Sequence, residues 1–542
     1  MNADPAAVIT VADAFRKSVE AWGNRPFLHI LEEAASITNE APLILSYADA
    51  GRAVATLAET YRHAGHGPGH RVGLMLDNRA AFFLHWLALN ACGASVVPLN
   101  ADLRPAELDF VIAHSGLSLA VAAAPHFETM LAASRRAPQF VGCMMPSDPP
   151  PVADPTTGDG QECALLYTSG TTGQPKGCVL SNAYFLRAGA WYIAVGGLST
   201  IRAGEDRIIT PLPMTHMNAM AYSTMAMLMS GGCVIPLDRF HPRGWWNAVR
   251  TSSATIVHYL GVMPSMLLSL PADPKDRDHH VRFGLGAGVD PRHHAVFEHR
   301  FGFPLLEAWA MTETGAGAVI IANRVPRRVG AATFGAPTDD VEIRIVDEGG
   351  SDVADGAPGE LLVRAAGINP RAGFFTRYLH DSGATDDAWQ GGWFHTGDVV
   401  RSDPDGALIF VDRRKNVIRR SGENIAAVEV ESVLRRHPAI REVAVAATPD
   451  EVRGEEVLAC VVPHTMVDPA RQSELAAAIV QAALDDLSYF KVPGWIAFVD
   501  SLPLTATQKI QRGELKMRAR DLPGSAGCVD TRRLKIRQAH QA

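Results

Sequence analysis

The sequence predicts an α/β protein. A large, multilayer N-terminal domain with parallel sheets ends in a β-rich portion, and a small α+β C-terminal domain follows. Three observations carry this. Helical periods alternate with short apolar runs through the first 140 residues, strand-like segments cluster from 341 to 411, and beyond Asp412 the chain turns basic before a new set of helix and strand signals. A chain of 542 residues exceeds one ordinary core. The expected division is 1–412, 413–520, and a basic tail over 521–542.

The elements follow in order. Residues 72–76 (VGLML) and 94–99 (ASVVPL) read as strands, with a helix over 79–92 between them, which is the logic of a parallel βαβ unit. Residues 145–161 are rich in Pro, Asp and Gly and read as a loop. A short strand over 164–167 follows. The apolar stretch 219–236 is interrupted by Ser223, Thr224, Ser230, Gly231 and Gly232, so it reads as a buried helix running into a strand rather than a membrane span. Residues 341–346 alternate as a half-buried strand does, and 359–364 and 407–411 are similar. In the small domain, 428–436 and 473–487 read as helices, and 442–447 and 457–462 as strands. The last part, from Arg518 on, carries six Arg or Lys residues and reads as a solvated extension.

Composition narrows the function. Hydrophobic residues make up 47% and charged residues 20%, as in a folded soluble protein. The net charge of −8 supplies no general field for nucleic acid or an anionic membrane. The seven cysteines are scattered without a CxxC pair, which points to reduced thiols and a cytoplasmic setting. No signal peptide is visible in the first eleven residues.

The densest chemical signal is 167–177, YTSGTTGQPKG. Gly170, Gly173 and Gly177 allow close backbone approach, Thr168, Ser169, Thr171 and Thr172 add short donors, and Lys176 adds charge. That set suits a polyphosphate. The spacing is not that of a Walker A loop, which needs four residues between its glycines and then Lys-Ser or Lys-Thr.

This segment resembles the signature loop of the adenylate-forming (ANL) superfamily. Residues 211–216 (PLPMTH), 307–314 (EAWAMTET), 393–398 (WFHTGD), 412–416 (DRRKN), 420–424 (RSGEN) and 503–509 (PLTATQK) resemble its later motifs in family order. The resemblance covers nearly the whole chain and lies nearest the acyl-CoA synthetase branch of crotonobetaine/carnitine-CoA ligase type. It implies a mobile small domain and two half-reactions in one site. A carboxylate and ATP give an acyl-adenylate and pyrophosphate, and coenzyme A then takes the acyl group.

The resemblance also implies roles. Thr168, Ser169, Gly170, Thr171, Thr172, Gly173 and Lys176 would hold phosphates. Thr312 would meet the α-phosphate, Glu313 would hold Mg²⁺, and Lys509 would reach carboxylate and α-phosphate together. Gly286, Ala287, Gly288, Glu307, Ala308 and Trp309 would surround adenine, though a lone Trp is usually core. Asp398, with Arg413 beside it, would take the ribose hydroxyls. His216, Met217, Tyr222, Val262, Ala310 and Met311 would line the acyl pocket, with Met214, Asn218, Met220, His258, Tyr259 and Met263 as neighbours. Lys415 would be the hinge, and Arg420, Ser421, Gly422 and Glu423 the loop on the coenzyme A side.

Three positions depart from the family pattern. Ala310 and Gln508 replace glycines, and Asn424 stands where some relatives carry arginine. The pocket residues offer no acidic partner for a trimethylammonium group. Two alternatives stay open: transfer of the acyl group to a carrier protein or an amine, and a nucleotide-binding pseudoenzyme. The expected partners are a small carboxylic acid, ATP and coenzyme A, without nucleic acid or a membrane span, and a homodimer is compatible with the reading.

Overall fold

The computed structural model describes residues 10–37, 41–117, 119–134, 162–168, 175–413, 417–465, 467–503 and 510–535. The predicted loop over 145–161 lies outside them. Four sheets organise the described chain. An eight-stranded sheet runs in the order Ile320–Ile321, Leu305–Trp309, Phe283–Ala287, Ile256–Leu260, Arg207–Thr210, Cys233–Pro236, Pro26–Ile30, Leu43–Ser46, and its centre is parallel. A six-stranded sheet runs Arg377–Tyr378, Lys176–Ser181, Glu162–Thr168, Ser95–Pro98, Arg71–Met75, Leu119–Ala122. The predicted βαβ unit lies here: Arg71–Met75 pairs in parallel with Ser95–Pro98, and Ala80–Ala91 is the helix between them.

That helix has no polar face. Phe82, Phe83, Trp86, Leu87 and Leu89 are all buried, so it must be covered on every side. Its Trp86 packs on Phe185 of the helix Asn182–Ala194, ring centroids 5.3 Å apart. One continuous core joins these helices to strands of both large sheets through Phe27, Leu166 and Ile208. The apolar stretch 219–236 is helical over Asn218–Ser230, beginning with a π-helical turn at Asn218–Thr224, and enters the strand Cys233–Pro236. No helix among the described residues is long and apolar enough to cross a membrane.

The β-rich portion is a five-stranded sheet in the order Thr333–Gly335, Leu408–Arg413, Phe394–Ser402, Gly359–Ala365, Val341–Val346. Beyond it, Val417–Arg420, Glu423–Ala426, Ile440–Asp450, Gly454–Pro463, Trp495–Phe498 and Cys528–Asp530 form a separate sheet. The helices Ala427–Leu434 and Gln472–Asp486 pack on it over a core of their own.

The expected solvated tail is corrected here. Cys528–Asp530 pairs antiparallel with Trp495–Phe498, Thr531 is fully buried, and Lys535 is 5% exposed. Two of the basic residues that suggested a tail, Arg532 and Lys535, meet acids far upstream. Arg532 pairs with Asp530 at 2.7 Å and Asp450 at 3.2 Å, and Lys535 reaches Glu456 at 2.7 Å. Charge composition alone could not show those partners. Deleting residues 528–542 should therefore uncover the strand Trp495–Phe498 and remove the Lys535 partner of Glu456. The expected outcome is a fall of about 5 °C or more in the small unit's melting temperature, read by calorimetry, with faster hydrogen exchange at 495–498. Unchanged melting would return this segment to solvent.

Candidate active site

A cavity of about 900 Å³ lies at the C-terminal ends of the parallel strands Ile256–Leu260, Phe283–Ala287 and Leu305–Trp309. This is where open parallel sheets place ligands, because loops diverge there and leave a crevice. Among the further elements that close it are the Thr168–Lys176 end of a hairpin, the residues after Leu212, and Ser421–Asn424 of the small unit.

On the phosphate side, Thr168 and Lys176 are register partners in the hairpin Glu162–Thr168 and Lys176–Ser181. Both line the cavity. The connecting residues Ser169, Gly170, Thr171, Thr172 and Gly173 lie outside the described chain. Glu313 is 7% exposed and lines the cavity beside Thr168. Its Oε1 accepts from Tyr378 Oη at 2.9 Å and Thr168 Oγ1 at 3.4 Å. The Lys176 ammonium sits over the Tyr378 ring at 4.7 Å. Tyr378 was not legible in the sequence, because its two-residue strand at the sheet edge has no periodicity to detect. Thr312 lines the cavity, its carbonyl held by Tyr184 Oη at 2.9 Å.

On the nucleoside side, Gly286, Ala287, Gly288, Glu307, Ala308, Trp309 and Asp398 all border the cavity. Their contacts divide them. The Glu307 carboxylate accepts from the N–H groups of Gly288, at 3.1 Å, and Val289, at 2.9 Å. Tyr259 also donates to it at 3.2 Å. Burial raises its pKa, and these donors oppose that rise. The expected adenine neighbour is thus a clamp on the Gly288 turn. Trp309 is 7% exposed; its indole N–H donates to Asp398 Oδ2 at 2.9 Å, and its ring packs on Phe334 at 6.2 Å. Asp398 is also buried and pairs in register with Arg413 across adjacent strands. Trp309, Phe334 and Asp398 therefore form one wall.

On the acyl side, His216, Met217, Tyr222, Val262, Ala310 and Met311 all line the cavity, joined by Asn218. Met214, Met220, His258, Tyr259 and Met263, expected as neighbours, are buried behind it instead. His258 links Tyr192 Oη, at 2.9 Å, to Ser223 Oγ, at 2.7 Å, and Asn218 Oδ1, at 3.0 Å. Burial lowers its pKa to about 3, so it is a neutral spacer that fixes Asn218. Trp191, also lining the cavity, packs on Tyr222 at 5.4 Å. Its position in the middle of an apolar helix gave no sequence signal beyond core.

The small unit meets this end. Ser421, Gly422, Glu423 and Asn424 line the cavity, and Glu423 Oε2 lies 3.7 Å from His216 Nε2. Burial disfavours the imidazolium, but the neighbouring carboxylate prevails and raises the His216 pKa; that of Glu423 is lowered in turn. The turn uses left-handed backbone at Ser421 (φ 49°) and Gly422 (φ 92°). Arg420, expected with this loop, is turned away from the cavity. It is 5% exposed and its Nε donates to Glu456 at 2.8 Å, so it anchors the turn from behind. Lys415 and Lys509 lie outside the described residues.

Comparison with known proteins shows the family. The family of AMP-binding enzymes matches residues 15–370, and the AMP-binding enzyme C-terminal domain matches 429–509. Feruloyl-CoA synthase from Amycolatopsis sp is 34% identical over 482 residues, covering 88% of this chain and 94% of that protein. Crotonobetaine/carnitine–CoA ligase from Salmonella paratyphi A is 30% identical over 525 residues, covering 92% and 97%. Among solved structures, a double mutant of o-succinylbenzoate CoA synthetase from Bacillus subtilis, bound with its product analogue OSB-NCoA, superposes with a TM-score of 0.77 at 22% identity, covering 93% and 98%. The same enzyme in complex with its acyl-adenylate intermediate gives 0.63 at 23% identity, covering 93% and 97%. One family match spans well over half of the residues and another falls on the small unit, so the chain belongs to the AMP-binding enzymes, in their acyl-CoA synthetase branch.

Proposed function

We propose that this AMP-forming acid–thiol ligase joins a slim, neutral monocarboxylic acid to coenzyme A. The observation that carries the reading is the shared cavity. Phosphate-side, nucleoside-side and acyl-side residues of the large unit face the Ser421–Asn424 turn of the small unit across one space.

In the first half-reaction a carboxylate oxygen of the acid attacks the α-phosphorus of ATP. The bond to the β-phosphate oxygen breaks, and pyrophosphate leaves. Thr168, Lys176 and residues 169–173 hold the β- and γ-phosphates, Thr312 meets the α-phosphate, and Asp398 takes the ribose hydroxyls. Lys509 bridges the attacking carboxylate and the α-phosphate, placing a cation where charge builds up. Glu313 suits Mg²⁺, because a single buried carboxylate beside a hydroxyl leaves the other ligand positions to phosphate oxygens and water. The metal would neutralise phosphate charge there.

In the second half-reaction the coenzyme A sulfur, on losing its proton, attacks the acyl carbon. The bond to the AMP phosphate oxygen breaks, and AMP leaves with that oxygen. The arrangement of units supports this stage. Ser421–Asn424 sits at the acyl end, where the thiol would have to approach. Lys415 is the pivot between the two arrangements.

The acyl end sets the substrate class. Trp191, Met217, Tyr222, Val262, Ala310 and Met311 are uncharged, and Asn218 adds only an amide. The charges at this end, His216 and Glu423, face each other at 3.7 Å, so a dicarboxylate or a trimethylammonium acid would have to compete with that pair for a complementary charge. An acid panel scored by AMP release with coenzyme A should rank slim aromatic and short-to-medium aliphatic acids highest, and bulky acids low. Ala310→Gly should raise kcat/KM for larger acids relative to small ones by about tenfold, as one methyl-sized change in an apolar pocket allows. An unchanged ranking would remove Ala310 from selectivity.

Gly422 tests the second stage. A Cβ there would come 2.3 Å from Leu260 Cδ1, on backbone at φ +92°. Gly422→Ala should slow thioester formation from a supplied acyl-adenylate by about tenfold or more, through strain and displacement of the turn. Acid-dependent ATP–pyrophosphate exchange should change far less. Equal losses in both assays would place the turn's role elsewhere.

A further inference from the structure

Away from the cavity, the two units are joined by buried charge. Glu107 opens the helix Pro105–Ser115 of the large unit, and its Oε2 accepts from the Arg104 N–H at 2.8 Å. The same oxygen accepts from the Ser488 N–H at 3.0 Å and the Ser488 hydroxyl at 2.6 Å. Its Oε1 accepts from Lys491 Nζ at 2.6 Å. Lys491 also donates to Glu429 Oε1 at 2.6 Å. The side chains are 9%, 8% and 13% exposed for Glu107, Lys491 and Glu429. Neither Glu107 nor Lys491 borders the cavity.

The partners differ in what they keep when the units move. Lys491 and Glu429 belong to the same unit, so their bond survives any rotation of that unit. The bonds from Ser488 and Lys491 to Glu107 cross between units, so a rotation of the small unit would break them. A contact made in one state and absent from the other shifts the balance toward the first by its differential free energy. Buried, charge-assisted bonds with short geometry carry more of that energy than exposed ones. Burial works against the charge on Lys491, but the carboxylates of Glu107 and Glu429 hold its pKa above the ordinary lysine value.

We infer that Glu107 is a positioning residue for the thioester half-reaction. Through Ser488 and Lys491 it holds the small unit in the orientation that brings Ser421–Asn424 to the acyl end of the cavity, and the swing back to adenylation must break that hold. The inference rests on the reading of this arrangement as the thioester-forming one.

The test separates the half-reactions in the full-length chain. Glu107→Ala and Glu107→Gln are compared with the wild type in two assays: acid-dependent ATP–pyrophosphate exchange, and single-turnover transfer of a supplied acyl-adenylate to coenzyme A. Pulsed dipolar spectroscopy between a spin label on each unit reads the docked fraction directly. The expected result is a docked fraction that falls, a transfer step slowed about tenfold or more, and exchange that is unchanged or faster. Glu107→Gln, which can still accept from Ser488, should fall between Glu107→Ala and the wild type. Equal losses in both half-reactions, or an unchanged docked fraction, would overturn the inference. A wild type inactive with every acid but with a docked fraction sensitive to Glu107 would instead refute the proposed reaction while sustaining the hold.

Discussion

The site depends on how closely three parallel strands approach at their C-terminal ends. A side chain at Gly261 would begin 1.6 Å from the Gly288 carbonyl oxygen, and one at Gly286 would begin 2.2 Å from the Tyr259 carbonyl. Only hydrogen fits at either position. Behind this junction Glu307 fixes the N–H groups of Gly288 and Val289, which turns a flexible glycine-rich exit into a rigid wall. The buried carboxylate is costly to desolvate, but it is surrounded by donors. A wall built this way can face a planar ligand without rearranging, which is what preorganisation requires.

The opposite wall follows another rule. It belongs to the small unit and reaches the cavity through a turn on left-handed backbone. Here charge does the holding: Glu107 with Ser488 and Lys491, and His216 with Glu423. A buried pair such as Glu107 and Lys491 is a weak source of net stability, because desolvation offsets its attraction, yet it is sensitive to misplacement. That would suit the boundary of the proposed swing, which forms and releases. Apolar burial of the same area would hold without discriminating between orientations.

Much of this was legible from the chain alone, and the limits have physical causes. The βαβ unit, the helix-to-strand run after Asn218 and the helices of the small unit follow local periodicity, which the structure respects. Residues borne by dense motifs, such as Thr168, Thr312, Glu313 and Asp398, border the cavity. Legibility stops where function depends on partners distant in sequence. Arg420 sits inside a motif but faces Glu456, 36 residues on. Tyr378 and Trp191 reach the cavity from elements with no distinguishing pattern. Lys535 looked solvated because its counter-charge lies 79 residues upstream.

That last contact has a consequence for biosynthesis. The Glu456 carboxylate joins Arg420, at the root of the cavity-facing turn, to Lys535, near the end of the chain. Domains fold largely as units while the chain emerges, at about 5–20 residues per second. The large unit can therefore close its sheets while the ribosome is still making the small one. The small unit cannot complete its sheet or give Glu456 its Lys535 partner until residues 528–535 have cleared the exit tunnel. A nascent chain would hold the strand-end wall well before the sheet behind the facing turn is complete, so one wall of the cavity forms ahead of the other.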